Sequence, residues 1–257
     1  MEPILLSAIV GAGGMGLGGF IAAIIGKRSP SMGSYLLAFA GGVMTGVVSF
    51  GLIPESMELS NTALTIAGLI IGVLFVMMLN RIIDKTTVSE NDKLKIHHTP
   101  DEFYHTCGLD TSRLLQSGMI ILGVIAIHNI PEGIAIGAGG SHDYSFGLSL
   151  AVMLAVHNIP EGMAIAASLI FSGMQKWKVI LFSTLAGATT SVGAVMGIFV
   201  GGISDTALAL ALSSAGGAML YVVFGEIIPQ SIIMTKSRVA AIVALSGIIL
   251  GLIVAQI

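Results

Sequence analysis

The sequence predicts an all-α, polytopic membrane protein with eight transmembrane helices, and three observations lead to this prediction. Of the 257 residues, 54% are hydrophobic and only 10% are charged, whereas soluble globular proteins carry about 25% charged residues. Long apolar runs recur along the chain, each close to the roughly 20 residues that a helix needs to cross a bilayer. No segment alternates polar and apolar residues, as the strands of a membrane β-barrel do. These features exclude a soluble enzyme.

Six of the predicted helices are free of charged residues, and two hold one glutamate each. The charge-free runs cover 3–26, 29–54, 59–80, 179–204, 206–225 and 239–257, and the other two helices lie near 114–138 and 145–171. Eight helices of this length use about 160 positions. The connections are therefore short, except for one predicted loop at 84–113. We expect a single transmembrane domain over 1–257.

All 11 basic residues fall on one side of these eight spans. They follow helices 1, 3, 5 and 7: Lys27, Arg28, Arg81, Lys85, Lys93, Lys95, Arg113, Lys176, Lys178, Lys236 and Arg238. Lysine and arginine accumulate on the cytoplasmic side of membrane proteins. We therefore expect both termini outside and the 84–113 loop in the cytoplasm. The absence of an N-x-[ST] acceptor favours a prokaryotic cell (inner) membrane.

Two internal repeats relate the halves of the chain. Residues 40–56 (AGGVMTGVVSFGLIPES) and 215–231 (AGGAMLYVVFGEIIPQS) are identical at nine of 17 positions. Residues 125–136 (IAIHNIPEGIAI) and 154–165 (LAVHNIPEGMAI) are identical at nine of 12. Because successive spans run in opposite directions, both repeats are inverted, relating helices 1–3 to helices 6–8 and helix 4 to helix 5. Inverted repeats with a site near the midplane are typical of secondary transporters.

Three acidic residues lie within the predicted spans or directly at the end of one: Glu132, Glu161 and, next to the run 206–225 of helix 7, Glu226. A charged side chain at the bilayer centre costs about 2.5–3.5 kcal/mol on insertion scales. No lysine or arginine lies within a predicted span to neutralise these acids. We therefore expect a bound cation or protons to supply the missing positive charge.

The repeated motif combines imidazole, amide and carboxylate groups, contributed by His128, Asn129, Glu132, His157, Asn158 and Glu161. In each copy the histidine and the glutamate are four residues apart, so both lie on one face of the helix. The asparagine points about 100° round the helix, onto an adjacent face. Nitrogen and oxygen ligands without thiolate suit Zn²⁺, Fe²⁺, Mn²⁺, Co²⁺ or Ni²⁺ rather than Cu⁺. The alternative is a polar contact between two helices.

The twin HNIPEG helices, the eight spans and the histidine-containing loop between helices 3 and 4 resemble the ZIP (Zrt/Irt-like) family of divalent metal transporters, in its bacterial GufA-like branch. The resemblance implies uptake of Zn²⁺ above all, and also of Fe²⁺, Mn²⁺, Cd²⁺ and Co²⁺, toward the cytoplasm. It maps the family's metal ligands onto the six motif residues. The metal is then the transported substrate and not a cofactor. The expected partners are metal ions and the lipid bilayer, with no nucleic acid, and a homodimer is an open alternative.

The sequence departs from the family pattern on helix 6. Many relatives carry a Glu-Pro pair there, whereas the matching stretch here reads GATTSVGAVMG and places Thr190 at that point. Asn158 is also neutral where some relatives have an acid. Whether one or two metal ions bind at once is therefore open. Met44 on helix 2 matches a variable additional contact of the family.

Further polar residues are weaker candidates for the transport pathway. Glu226 lies toward the cytoplasmic end of helix 7, where an acid facing lipid headgroups is the alternative. His142 and Asp143 lie between helices 4 and 5 on the outer side, where they would collect cations or simply form a turn. The predicted cytoplasmic loop holds a further group that would bind metal loosely or be solvated: His97, His98, His105 and Cys107.

Two other functional classes remain alternatives to a transporter. An intramembrane metal-dependent hydrolase would use a metal-activated water and a glutamate as general base. A proton relay or sensor would use the histidines and glutamates without moving metal. The inverted symmetry favours the transporter, because an enzyme needs only one site facing one substrate.

Overall fold

A computed structural model of the chain describes residues 2–25, 30–87, 111–142, 144–200, 204–235 and 237–256. The described residues form eight helical rods and no β-strand, as predicted. Five rods are single α-helices: α3 (Thr62–Thr87), α4 (Thr111–His142), α5 (Tyr144–Phe171), α6 (Lys176–Val200) and α8 (Val239–Val254). The other three rods each contain one π-helical turn. They are α1 (Glu2–Ala8, Ile9–Gly13, Gly14–Ile25), α2 (Pro30–Val47, Val48–Leu52, Ile53–Leu59) and α7 (Asp205–Val222, Val223–Ile227, Ile228–Thr235).

The rods have the length and composition of membrane spans. Seven are long and apolar enough to cross a bilayer, and α8 is a shorter apolar helix of 16 residues. At 1.5 Å per residue α8 is about 24 Å long, which approaches the hydrocarbon thickness of a membrane. Large apolar side chains remain exposed on α3 and α8, including Ile70, Leu74, Ile242 and Ile249. These surfaces suit contact with lipid.

The predicted ends of helices 2 and 7 are wrong. The charge-free windows end at 54 and 225, whereas α2 continues to Leu59 and α7 to Thr235. A charged residue ends a charge-free run in the sequence, but it does not interrupt the backbone hydrogen bonds of a helix. The end of helix 3 shifts in the same way, from 80 to Thr87 past Arg81, and the remaining helix ends shift by four residues or fewer. Of the predicted loop at 84–113, positions 84–87 and 111–113 belong to helices, and positions 88–110 lie outside the described residues.

In α2 and in α7, a proline follows shortly after the π-helical turn. Proline lacks a backbone N–H and its ring crowds the carbonyl four residues earlier. A π turn locally widens the helix, and this one ends two residues before Pro54 in α2 and before Pro229 in α7. The two turns, Val48–Leu52 and Val223–Ile227, are 175 positions apart, the same offset as the sequence repeat. The backbone irregularity is therefore part of the repeat.

Glycine contacts join α1, α4, α5 and α6 into one group of four and the other rods into the pairs α2–α8 and α3–α7, which side-chain contacts between α2 and α7 hold together. A Cβ atom added at Gly133 of α4 or at Gly18 of α1 would collide with the backbone of α6 or α5, respectively. The same holds for Gly42 of α2 against α8 and for Gly72 of α3 against α7. Small residues let helix backbones approach this closely in membranes. We call α1, α4, α5 and α6 the site bundle, and α2, α3, α7 and α8 the support bundle.

The order of these contacts gives the relative direction of each helix pair. Gly42 lies against Ala244 and Gly46 lies against Ile248. Residue numbers at the contacts therefore increase in the same direction along α2 and α8, which means that the two helices are parallel. The pairs α3–α7, α4–α6 and α1–α5 behave in the same way. By contrast, α4 and α5 are antiparallel, since Gly118 meets Leu169 while residues further along α4 meet earlier ones of α5. These directions fit eight spans that alternate across the membrane.

The close packing of α2 on α8 predicts that a single methyl group destabilises the fold. In Gly46→Ala the new Cβ would lie 2.6 Å from the Ile248 carbonyl oxygen and 2.8 Å from Gly251 Cα, and overpacking of this kind costs about 1–3 kcal/mol. The matched control is Gly51→Ala on the same rod, whose Cβ would meet only an ordinary contact, Ala255 Cβ at 3.5 Å. Thermal unfolding in detergent should show a lower midpoint for Gly46→Ala alone. Equal midpoints would contradict this packing.

Candidate metal centre

The two copies of the repeated motif meet where α4 and α5 cross. In α4, His128 and Glu132 lie one helical turn apart, and in α5 His157 and Glu161 repeat this spacing. Because the two helices are antiparallel, each histidine lies beside the glutamate of the other helix as well as its own. Pro131 and Pro160 lie inside continuous helices at this level.

Four nitrogen–oxygen distances define the cluster. His128 Nε2 lies 3.0 Å from Glu132 Oε1 and 3.7 Å from Glu161 Oε1. His157 Nε2 lies 3.1 Å from Glu161 Oε1 and 3.3 Å from Glu132 Oε1. All four side chains are buried, and their ligand atoms lie within 4.8 Å of one another.

The cluster is polar, buried and without hydrogen bonds of its own. Neither nitrogen of either imidazole and neither oxygen of either carboxylate makes a hydrogen bond of acceptable geometry. Nearly all buried polar atoms in proteins have a hydrogen-bond partner. The helices that carry them hold no lysine or arginine between positions 114 and 171. Apart from one another, these ligand atoms and their negative charge have no hydrogen-bond partner among the residues that the structure describes.

The four nitrogen–oxygen separations are close to those around a tetrahedral divalent metal. Zinc binds imidazole nitrogen and carboxylate oxygen at about 2.0–2.2 Å, so neighbouring ligand atoms of a tetrahedral site lie about 3.3–3.6 Å apart. The four observed separations, 3.0–3.7 Å, lie on either side of that value. Two carboxylates also balance the charge of one divalent ion. The geometry therefore suits a single Zn²⁺ or a metal of similar size.

Asn129 is held by both of its amide hydrogens. Its Nδ2 donates to the carbonyl oxygen of Ala186 on α6 and to the sulfur of Met15 on α1, both at 3.1 Å. A peptide carbonyl can only accept a hydrogen bond, so the amide nitrogen must face Ala186 and Oδ1 must point away from it. That oxygen is buried and has no hydrogen-bond partner. The Ala186 carbonyl therefore orients the Asn129 amide, and Met15 is a further contact of Asn129 that the sequence did not predict.

Asn158 repeats this arrangement on α5. Its Nδ2 donates to the carbonyl oxygen of Val10 at 3.1 Å, and its Oδ1 is buried without a partner. Val10 lies in the π-helical turn of α1. Each asparagine thus fastens a motif helix to a neighbour, α4 to α6 and α5 to α1, and retains a free carbonyl oxygen. Whether these oxygens coordinate metal stays a prediction.

The structure describes three further candidates, Thr190, Met44 and Glu226, which are not among the four clustered side chains. Thr190 is fully buried beside Gly133, the residue that follows Glu132, and its hydroxyl has no hydrogen-bond partner. Met44 is fully buried in the main hydrophobic core on α2. Glu226 lies in the π-helical turn of α7 and accepts a hydrogen bond from Ser117 of α4.

Other predicted positions fall where no side chain is described. These are His142, at the end of α4, and Asp143, His97, His98, His105 and Cys107, which lie outside the described residues. Their roles remain as the sequence predicted them.

Comparison with known proteins places the chain among metal transporters. Residues 84–257 match the family model described as ZIP zinc transporter. The chain is 29% identical to zinc transporter ZupT of Akkermansia muciniphila, over 97% of this chain and 95% of that protein. It is 30% identical to ZupT of Chlorobaculum parvum, over 84% and 82% of the two chains. It is also 38% identical to zinc transporter GufA of Myxococcus xanthus, over 45% and 46%.

The unsatisfied cluster predicts that a divalent ion stabilises the folded protein. Ligand at a hundredfold excess over its dissociation constant adds about 2.7 kcal/mol of stability. Zinc should therefore raise the thermal midpoint of the detergent-purified protein, and a chelator should reverse the rise. A Glu132→Gln/Glu161→Gln variant should lose the effect, whereas Glu58→Gln, at an exposed position on α2, should keep it. An equal zinc response in all three proteins would exclude this cluster as the binding site.

Proposed function

The chain belongs to the ZIP family of zinc transporters, and we propose that it carries Zn²⁺ and related divalent cations toward the cytoplasm through the cluster on α4 and α5. Family membership makes it a divalent metal transporter and not an enzyme, which removes the alternative of an intramembrane hydrolase. The observation that supports the proposed site is the set of four nitrogen–oxygen separations of 3.0–3.7 Å at a buried position without other partners.

We assign the ligands by the chemistry of the donor atoms. His128, His157, Glu132 and Glu161 hold the dehydrated ion, because their atoms converge and their charge balances it. The carbonyl oxygens of the two motif asparagines serve as additional ligands as the ion enters or leaves. A second ion lacks a further carboxylate, since Thr190 offers only a hydroxyl, so we propose one ion per chain. All ligands come from one chain, and the proposal therefore applies to a monomer and to a homodimer alike.

We propose that the two bundles move relative to each other during transport. In the site bundle, glycines bring all four helices into backbone contact, and in the support bundle they do so for the pairs α2–α8 and α3–α7. Hydrogen bonds from Ser34 and Ser56 of α2 to carbonyls of α7 join these two pairs, and we propose that each bundle moves as a unit. Between the bundles the pairs α2–α5 and α4–α7 touch, and there side chains separate the backbones, as the Phe171 ring does against Gly33. The whole ligand cluster lies in the site bundle. We propose that this bundle shifts or rocks against the support bundle and exposes the ion to each side in turn.

The positions of the basic residues suggest how the chain is oriented in the membrane. We propose that both termini lie outside and that the predicted loop at 84–113 lies in the cytoplasm, in a prokaryotic inner membrane. His142 and Asp143 would then meet cations at the outer entrance. The histidines and the cysteine of the loop would meet them after release.

Loss of either proposed metal ligand of α4, His128 or Glu132, should abolish transport. In proteoliposomes loaded with a fluorescent chelator, His128→Ala and Glu132→Ala should each lower Zn²⁺ uptake by more than about tenfold, since ligand loss costs at least as much as the 10–100-fold cost of losing an outer-shell partner. Fe²⁺, Mn²⁺, Cd²⁺ and Co²⁺ are assayed in parallel, and Glu58→Gln serves as the control. Normal uptake by both alanine variants, at equal protein incorporation, would refute the assigned site.

Acid should slow transport. Protons and metal compete for the same imidazole nitrogens and carboxylate oxygens, so metal binding weakens as the pH falls. Initial uptake at a subsaturating Zn²⁺ concentration should therefore decrease when the external pH is lowered from about 7.5 to about 5.5, and higher Zn²⁺ should restore it. A rate that stays constant over this range would argue against histidine and glutamate ligands.

A further inference from the structure

A second polar cluster joins the two bundles. The Ser117 hydroxyl of α4 donates to Glu226 Oε2 of α7 at 2.8 Å and to Gln230 Oε1 at 3.4 Å. The Ser168 hydroxyl of α5 donates to the same Gln230 oxygen at 3.1 Å. Ser117 and Ser168 belong to the site bundle, whereas Glu226 and Gln230 belong to the support bundle. We call these four residues the boundary cluster.

The boundary cluster lies well apart from the metal centre. Ser117 precedes His128 by 11 residues on α4, and Ser168 follows His157 by 11 residues on α5. Because the two helices are antiparallel, both serines lie at the same end of the pair, about 16 Å from the histidines along the helix axes. Ser168 is fully buried and Gln230 is only 8% exposed. Glu226 and Gln230 lie one turn apart on the same face of α7.

Several other side-chain hydrogen bonds hold helices within one bundle. Asn129 and Asn158 bond to carbonyls of α6 and α1, inside the site bundle. In the support bundle, Ser34 of α2 donates to the Ser231 carbonyl of α7, and Ser56 donates to that of Ala209. The boundary cluster instead crosses the surface along which the bundles move. Apolar side chains at this surface can slide past one another when the bundles move, whereas the hydrogen bonds of the boundary cluster must break.

The serines are suited to bonds that break and re-form. A serine or threonine hydroxyl in a helix can rotate and donate to the carbonyl three or four residues earlier. In this structure Ser172 donates to the Leu169 carbonyl and Thr184 to that of Ile180 in this way. When the boundary cluster opens, Ser117 and Ser168 can therefore bond to their own helices. Release leaves no unsatisfied hydroxyl on the site bundle.

We propose that the boundary cluster is a latch that fastens the site bundle to the support bundle in one end state of the transport cycle and opens each time the site bundle shifts. This inference rests on the proposed function, because it assigns these residues to the motion that transport requires. Covalent closure of the latch must then stop transport, although it touches no metal ligand.

Cross-linking tests the latch. The chain has one cysteine, so Ser117→Cys/Gln230→Cys is introduced into a Cys107→Ser background and treated with a short bifunctional thiol reagent that is cleavable by reductant. The matched control is Ser56→Cys/Thr65→Cys, whose native hydroxyls lie 3.0 Å apart on α2 and α3, both in the support bundle. Zinc uptake into proteoliposomes is measured before cross-linking, after it and after reduction.

The latch predicts that cross-linking the boundary pair lowers uptake by about tenfold or more, because a closed latch prevents the rigid-body shift, and that reduction restores it. Cross-linking the control pair should leave uptake unchanged. A boundary pair that fails to cross-link, or that transports as fast when cross-linked as when reduced, overturns the latch. Absence of uptake in the reduced protein and in the wild type would instead refute the proposed function, while the cross-linking yield would still report the contact.

Discussion

Two carboxylates buried in the middle of a membrane protein, with no lysine or arginine between positions 114 and 171 of the helices that carry them, are the constraint on which the rest of the structure depends. Removing a charge from water is costly unless a partner compensates it. Among the described residues, the titratable groups beside Glu132 and Glu161 are His128 and His157, which we propose as metal ligands with them. A divalent ion bound there would balance this charge, and the family to which the chain belongs transports such ions.

The fold brings this arrangement about by using one motif twice. Because α4 and α5 are antiparallel, the i, i+4 pair of each helix faces its copy, so two short sequences form one four-ligand site. The asparagines beside the histidines fasten α4 to α6 and α5 to α1, and glycines bring the same helices into backbone contact. The ligands are thereby held in a rigid bundle, and polar contacts with the support bundle occur some distance away, at Glu226 and Gln230.

Much of the fold and of the candidate site could be predicted from the sequence, because hydropathy, the repeats and the motif spacing are local patterns. The ends of α2 and α7 could not, since charge sets the end of an apolar window while the backbone continues past Pro54 and Pro229 through π-helical turns. Met15 was missed because a methionine in an apolar helix carries no signal until Asn129 is placed beside it. Glu226 was considered a candidate without its partner, Ser117, which is 109 positions away.

The sequence by itself determined which segments span the membrane, that the halves are inverted copies, and which six polar residues form the motif. Those properties depend on composition and on spacing within one helix. Only the tertiary structure decided that the nitrogen and oxygen atoms converge at 3.0–3.7 Å, that each asparagine turns its amide nitrogen to a neighbouring helix, and that the eight rods form two bundles. These features arise from contacts between helices distant in sequence, where glycine allows backbones to meet and bulkier side chains keep them apart.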